Sequence, residues 1–287
     1  MTYEITEAGY EVWFNTGRQV DPVLLLSALK LIDGENRHVP EKRSKLDSLQ
    51  STLSDHCKAN SRGSDQYFVR CLSRQSGREV YREVKGLEEN EITPMFVAKA
   101  DDYGVTLSGP YQWDRQSIQD GYTRYRKTLG PKQVNAILER ELAKLSASRI
   151  EGKRAWFIPP ESYDKWMLIV SAVKESTLTQ DSDFYEQEYK LQGSALEAVQ
   201  TSVTNEIIGT VDDVLAEMSE GQFTDRQACN RLDKLNSIHD KMVRYESLFK
   251  TGLDSCRHKI DEVMQALSFG GSAEQDTEVD ELFDVAS

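Results

Sequence analysis

The spacing of apolar positions divides the chain into regions of different period. Residues 10–14, Tyr-Glu-Val-Trp-Phe, read as a first strand. A helix then starts at Asp21-Pro22. Asp21 suits the cap, and Pro22 suits the first helical position, where a missing N–H costs nothing. Val23, Leu24, Leu26 and Leu29 give this helix its apolar side, and a second helix is expected over residues 40–57 with Leu46, Leu49 and Leu53 in line. The period then becomes two. Short alternating runs at 67–72, 79–84, 92–98 and 105–107, separated by turn-forming residues, predict an antiparallel meander. Residues 1–110 therefore read as a small α+β domain.

Past residue 110 the period is helical again. Helices are expected over 114–129 and 131–145, broken by Gly130-Pro131. A hairpin follows, turning at 151–153 with an apolar return strand at 155–158, and then a helix over 161–174. Helix, turn, helix, basic hairpin, helix is the order of a winged-helix-like unit, assigned to 111–176. Residues 177–192 read as a connector, with 182–189 ambiguous between strand and coil. Residues 193–269 carry two apolar stripes. One steps from Leu196 to Met218. The other runs from Ala228 through Leu235, Met242, Phe249, Leu253, Cys256 and Ile260 to Leu267. Gly221 closes the first helix, and Thr224 with Gln227 forms a capping box for the second. At ~1.5 Å per residue the second would extend ~65 Å. It would outrun its partner and leave an uncovered seam, which favours a coiled-coil arm open to self-association or a partner helix. Residues 270–287 read as a disordered acidic tail.

Composition sharpens this picture in few places. The chain has 287 residues and a net charge of −13, unevenly spread. Residues 113–174 hold 12 Lys/Arg against 7 Asp/Glu, or +5, whereas 175–221 hold Lys190 alone against 11 acids, or −10. Residues 271–287 carry six acids and no base. No run of ~18 apolar residues occurs, so no membrane span is expected. The acidic start lacks the pattern of a secretion signal, so a location in the cytosol of its host is expected. Cys57, Cys71, Cys229 and Cys256 form no CxxC pair and read as isolated reduced thiols. Neither His56-Cys57 nor Cys256 with His258 has the spacing of a zinc set. No cofactor or metal is expected, and no phosphate-binding glycine loop, HExxH or GxSxG motif is present.

Three sets of residues carry candidate chemistry. Arg124, Arg126, Lys127 and Lys132 around the helix–helix turn, with Arg149, Lys153 and Arg154 on the hairpin, would neutralise phosphates of DNA or RNA. Asp65 followed by Glu83-Val84-Lys85 on the next strand resembles a metal-dependent nuclease pattern, with two carboxylates for Mg²⁺ and a lysine beside the attacking water. In the tail, Leu282, Phe283 and Val285 among acids would anchor it in a basic, apolar groove of a partner.

Residues 9–14, 77–85 and 138–145, the last followed by Ala155-Trp156-Phe157-Ile158-Pro159, together resemble an uncharacterised family of phages and bacteria known as a domain of unknown function. The resemblance spans about residues 9–210, implies no activity and carries over no catalytic residues. The leading expectation is a non-enzymatic assembly protein, phage- or mobile-element-associated, that binds a protein partner such as a host defence complex or an ATPase through the helical arm and tail. A nucleic-acid-binding protein is the alternative, and a Mg²⁺-dependent nuclease the third reading.

Overall fold

A computed structural model describes residues 8–270, apart from 18, 35–38, 72–76, 86–89, 102, 110–113, 151–152, 180 and 220–224. The described residues form eight α-helices and two small antiparallel sheets. The chain divides into two compact units. One comprises Met1–Trp13, Leu142–Tyr163 and Glu186–Ser287; the other comprises Phe14–Glu141 and Asp164–Tyr185. The segment 111–176 therefore contributes to both units. No helix among the described residues is long and apolar enough to cross a membrane.

The second unit is built mostly from local signals. Asp21 Oδ1 accepts from Val23 N at 2.8 Å and Leu24 N at 3.1 Å, opening α1 (Pro22–Asp33). In α2 (Lys45–Asn60) the cap is Ser44, whose Oγ accepts from Asp47 N, so residues 40–43 stay outside the helix. Strands β2 (Asp65–Cys71), β3 (Gly77–Lys85), β4 (Asn90–Ala100) and β5 (Val105–Ser108) pair in chain order as an antiparallel meander. Asp101 Oδ1 accepts from Tyr103 N and Gly104 N and so turns β4 into β5. α3 (Arg115–Arg126) is capped by Asp114 and leads to α4 (Pro131–Lys144). Leu49, Leu53 and Cys57 of α2 and Ile118 and Tyr122 of α3 pack on Val80, Phe96 and Ala98 of the sheet. α5 (Tyr163–Ser176) belongs chiefly to this unit, and Val20 bridges to both Leu129 and Thr177.

The first unit depends on distant pairings. β1 (Ala8–Asn15) does not join the meander. It pairs antiparallel with β7 (Trp156–Ile158), with Tyr10 opposite Ile158 and Val12 opposite Trp156. β6 (Ser148–Arg149) pairs on the far side of β7, and β8 (Asp183–Lys190) flanks β1, giving the order β6-β7-β1-β8. The ambiguous stretch at 182–189 is thus a strand, and the basic hairpin is half of a sheet completed by β1 and β8.

Three helices, not two, follow: α6 (Ser194–Ser219), α7 (Asp225–Phe249) and α8 (Asp254–Gly270). The expected unbroken helix over 224–267 is corrected. Lys250 takes φ 54°, a left-handed conformation that ends α7. Glu246 Oε1 accepts from Leu253 N at 2.8 Å, and its other oxygen accepts from Arg257 Nη2, which together fix the reversal into α8. The stripe runs through the break unperturbed because Phe249, Cys256 and Ile260 enter one core from two helices. That core takes Val199, Val203, Ile207 and Val211 from α6, Met242 and Tyr245 from α7, Val263 and Leu267 from α8, and Ile150, Ala155 and Phe157 from the hairpin. α8 covers the seam that a straight second helix would have left open. Gly221 and Thr224 lie outside the described residues.

Candidate functional site: a basic groove beside the β6–β7 hairpin

The groove begins at the end of α4. Ala147 N donates to Leu142 O at 2.9 Å, and Ser146 takes φ 56°, so the chain turns sharply into β6. Ile150 N donates to Ala155 O at 3.0 Å, and Lys153 N donates to Ile150 O at 3.1 Å, closing the tip of the hairpin. Ile150, Ala155 and Phe157 point into the core and fix the tip. Arg149, Lys153 and Arg154 are left exposed and Trp156 half-buried. α6 supplies the opposite wall through Ser202, Asn205 and Glu206, which share one helix face by their spacing. The open groove between them measures about 830 Å³ and is more apolar than polar.

Behind the wall lies a buried polar cluster. Lys241 of α7, only 4% exposed, donates through Nζ to Ala147 O at 2.7 Å and pairs with Glu206 Oε1 at 2.5 Å. Glu206 Oε2 accepts from Ser148 Oγ at 2.7 Å. Tyr245 OH donates to Ser146 O at 2.9 Å, so α6 and α7 both grip the α4–β6 connection. Burial lowers the Lys241 pKa, and the adjacent Glu206 carboxylate opposes that shift. Burial raises the Tyr245 phenol well above its usual range. Lys241 thereby offsets the acid in the groove wall, and Arg149 and Arg154 are exposed on the hairpin side. Lys153 is held more firmly than its neighbours. Its Nζ lies 3.0 Å from Glu11 Oε1 on β1, and the other Glu11 oxygen accepts from Gln187 Nε2 at 2.6 Å. Arrangements of this kind suit an anionic ligand with an apolar or flat face.

The seven basic candidates do not form one site. Arg149, Lys153 and Arg154 line this groove, whereas Arg124, Arg126, Lys127 and Lys132 belong to the other unit. There Arg124 stacks over Tyr125 at 5.3 Å and borders a smaller cavity of about 370 Å³ with Asp55, His56, Asp114 and Asp120. Arg126 Nη1 donates to the carbonyl of Arg43, and the Lys127 amide closes α3 on Arg124 O. Lys132 is exposed on the first turn of α4.

The metal-site arrangement is corrected by strand register. Asp65 lies opposite Val84, and Gln66 lies opposite Glu83, so the two carboxylates point to opposite faces of the sheet. Asp65 Oδ2 pairs with Arg82 at 2.6 Å, and Glu83 Oε1 accepts from Asn90 Nδ2 at 2.9 Å. Lys85 pairs in register with Asn90. One ion cannot be held by carboxylates on two faces, and no cluster of three His, Cys, Asp or Glu suited to a metal occurs among the described residues. Leu282, Phe283 and Val285 lie outside the described residues.

Reading by sequence missed Trp156, Ser202, Asn205, Glu206 and Lys241. The available signal was a polar face on α6 beside its valine stripe, but nothing local joined that face to the hairpin. Compared with known proteins, the chain matches no family model, no curated protein and no solved structure.

Proposed function

We propose that this chain is a non-enzymatic binding protein that captures an acidic, apolar-anchored segment of a protein partner in the groove beside the β6–β7 hairpin. The presence of Arg149, Lys153 and Arg154 on a groove also lined by the half-buried Trp156 carries the reading. The basic side chains set charge selectivity and attraction over distance; the apolar lining of Ala143, Ile150 and Trp156 supplies most of the contact energy. A short segment fits better than a long polyanion. With a net charge of −13 and acids along the rest of α6, a nucleic-acid strand extending past the groove meets repulsion. Placement in a bacterial cytosol and association with phages or mobile elements belong to the same proposal and rest only on the likeness of the short segments at 9–14, 77–85 and 138–159, with no family model matching the chain. Self-association through 193–269 is not needed, because the helical stripes meet one another.

Trp156 beside three cations favours one second reading, a single-stranded nucleic acid stacked on the indole. Fluorescence anisotropy with two labelled probes separates the readings: a peptide of mixed Glu, Asp, Leu and Phe, and an oligothymidine. The proposal expects salt-sensitive peptide binding that weakens by ~10-fold or more in the Arg149→Glu, Arg154→Glu variant, as reversal of two contacting charges should produce. Oligothymidine binding without peptide binding moves the assignment to nucleic acid. If neither probe responds to the substitutions, the groove is not the site.

A further inference from the structure

We propose that the acidic stretch 271–287 of the chain docks into its own groove beside Arg149, Lys153, Arg154 and Trp156 and competes there with the partner. The inference rests on the groove reading above and assigns a specific first occupant.

Charge is the first support. The stretch carries Glu274, Asp276, Glu278, Asp280, Glu281 and Asp284 with no base; the groove presents Arg149 and Arg154, with Lys153 shared with Glu11, while Lys241 offsets Glu206 from behind. Apolar matching is the second. Leu282, Phe283 and Val285 stand among those acids, and Trp156, Ile150 and Ala143 border the groove. An acidic segment with three apolar anchors is the ligand class that such a groove accepts.

Reach is the third. α7 runs back along α6, since Glu206 pairs with Lys241 and Glu217 with Arg231. α8 reverses again through the Glu246–Arg257 pair and follows α6 in its own direction, with Lys259 Nζ 2.5 Å from Asp212 Oδ1. Counting helical rise from that pair, forward to Gly270 on α8 and back to Glu206 on α6, separates the end of α8 from the groove by ~25 Å along the bundle. Residues 271–283 extended span ~40 Å, so the anchors reach the groove without displacing a helix.

A tethered segment acts at an effective concentration in the millimolar range, so a weak contact suffices to suppress a free competitor. The test uses the full chain in three forms: unaltered; with Asp280→Asn, Glu281→Gln, Phe283→Ala and Asp284→Asn; and with those changes plus Arg149→Glu and Arg154→Glu. The probe is a fluorescein-labelled peptide with the sequence of residues 274–285, read by anisotropy. The expected result is ~10-fold tighter binding to the second form than to the first, the factor that a millimolar tether gives against a contact of ~100 µM, with binding lost in the third. Equal binding to the first two forms and loss in the third keeps the groove reading and overturns self-docking. Equal binding to all three, or binding to none, overturns both. Light scattering on the first two forms separates neighbours from self: a dimer that dissociates when the stretch is altered would place it in a neighbour's groove and contradict docking within one chain.

Discussion

Two groups of basic residues, both conspicuous in the sequence, meet different fates. Arg124 and Arg126, near the end of α3, are absorbed by their own unit: one lies over Tyr125, and the other holds the backbone of Arg43. Arg149 and Arg154 flank a hairpin whose apolar residues are taken up by the core, and their guanidinium groups are left at the edge of an open groove. Both groups have similar composition, and what surrounds them sets their role. Arginine stacked on a buried tyrosine, or bonded to a backbone carbonyl of its own unit, is a packing residue. Arginine beside a half-buried indole and an apolar trough is a recognition residue.

The sharpest way to break this comparison is to remove the support behind the groove. Lys241→Ala leaves Ala147 O and Glu206 without their buried donor and should lower the unfolding free energy by ~3 kcal/mol. The effect is read by urea denaturation, and a loss below ~1 kcal/mol would mean that the cluster does not fix the groove wall. Arg126→Ala should cost ~1 kcal/mol by removing its hydrogen bond to the Arg43 carbonyl, with no change in binding of either probe. A binding defect there would erase the distinction between the two groups.

The smallest effect concerns the core under α2 and α3. Burial pushes the Cys57 thiol from its ordinary 9.0 up to about 12. The folded pKa is raised, so the contribution is complete below pH 9, where the thiol is neutral in both states. It is lost as pH rises through the window to about 12, because the unfolded chain ionises first. Between pH 8 and 10 the loss should be on the order of 1 kcal/mol, and Cys57→Ala should flatten the decline. An unchanged slope in that variant would assign the alkaline loss to other groups.

How far the sequence discloses the fold varies with the distance of the contacts. Asp21 capping Val23 and Leu24, and four alternating runs joined by short turns, were legible because each signal lies within a few residues of its consequence. The partner of β1 was not, since residues 10–12 and 156–158 carry no mark of each other. The break at Lys250 was hidden because the apolar stripe continues across it. Alternation alone gives only the relation between positions 83 and 85 of one strand. Register with Gln66, which local pattern does not supply, separates Glu83 from Asp65. For the groove, Arg149, Lys153 and Arg154 stood out as neighbours in sequence, but their opposite wall on α6 and the lysine behind it come from elsewhere in the chain.

The most direct test of the central claim is a paired charge reversal read in one assay. Arg149→Glu with Arg154→Glu, and Arg124→Glu with Lys132→Glu, are titrated against the same labelled acidic-apolar peptide at low and physiological salt. A loss of ~10-fold or more is expected for the hairpin pair and less than twofold for the helix pair. Equal losses, or a larger loss for the helix pair, would contradict that expectation.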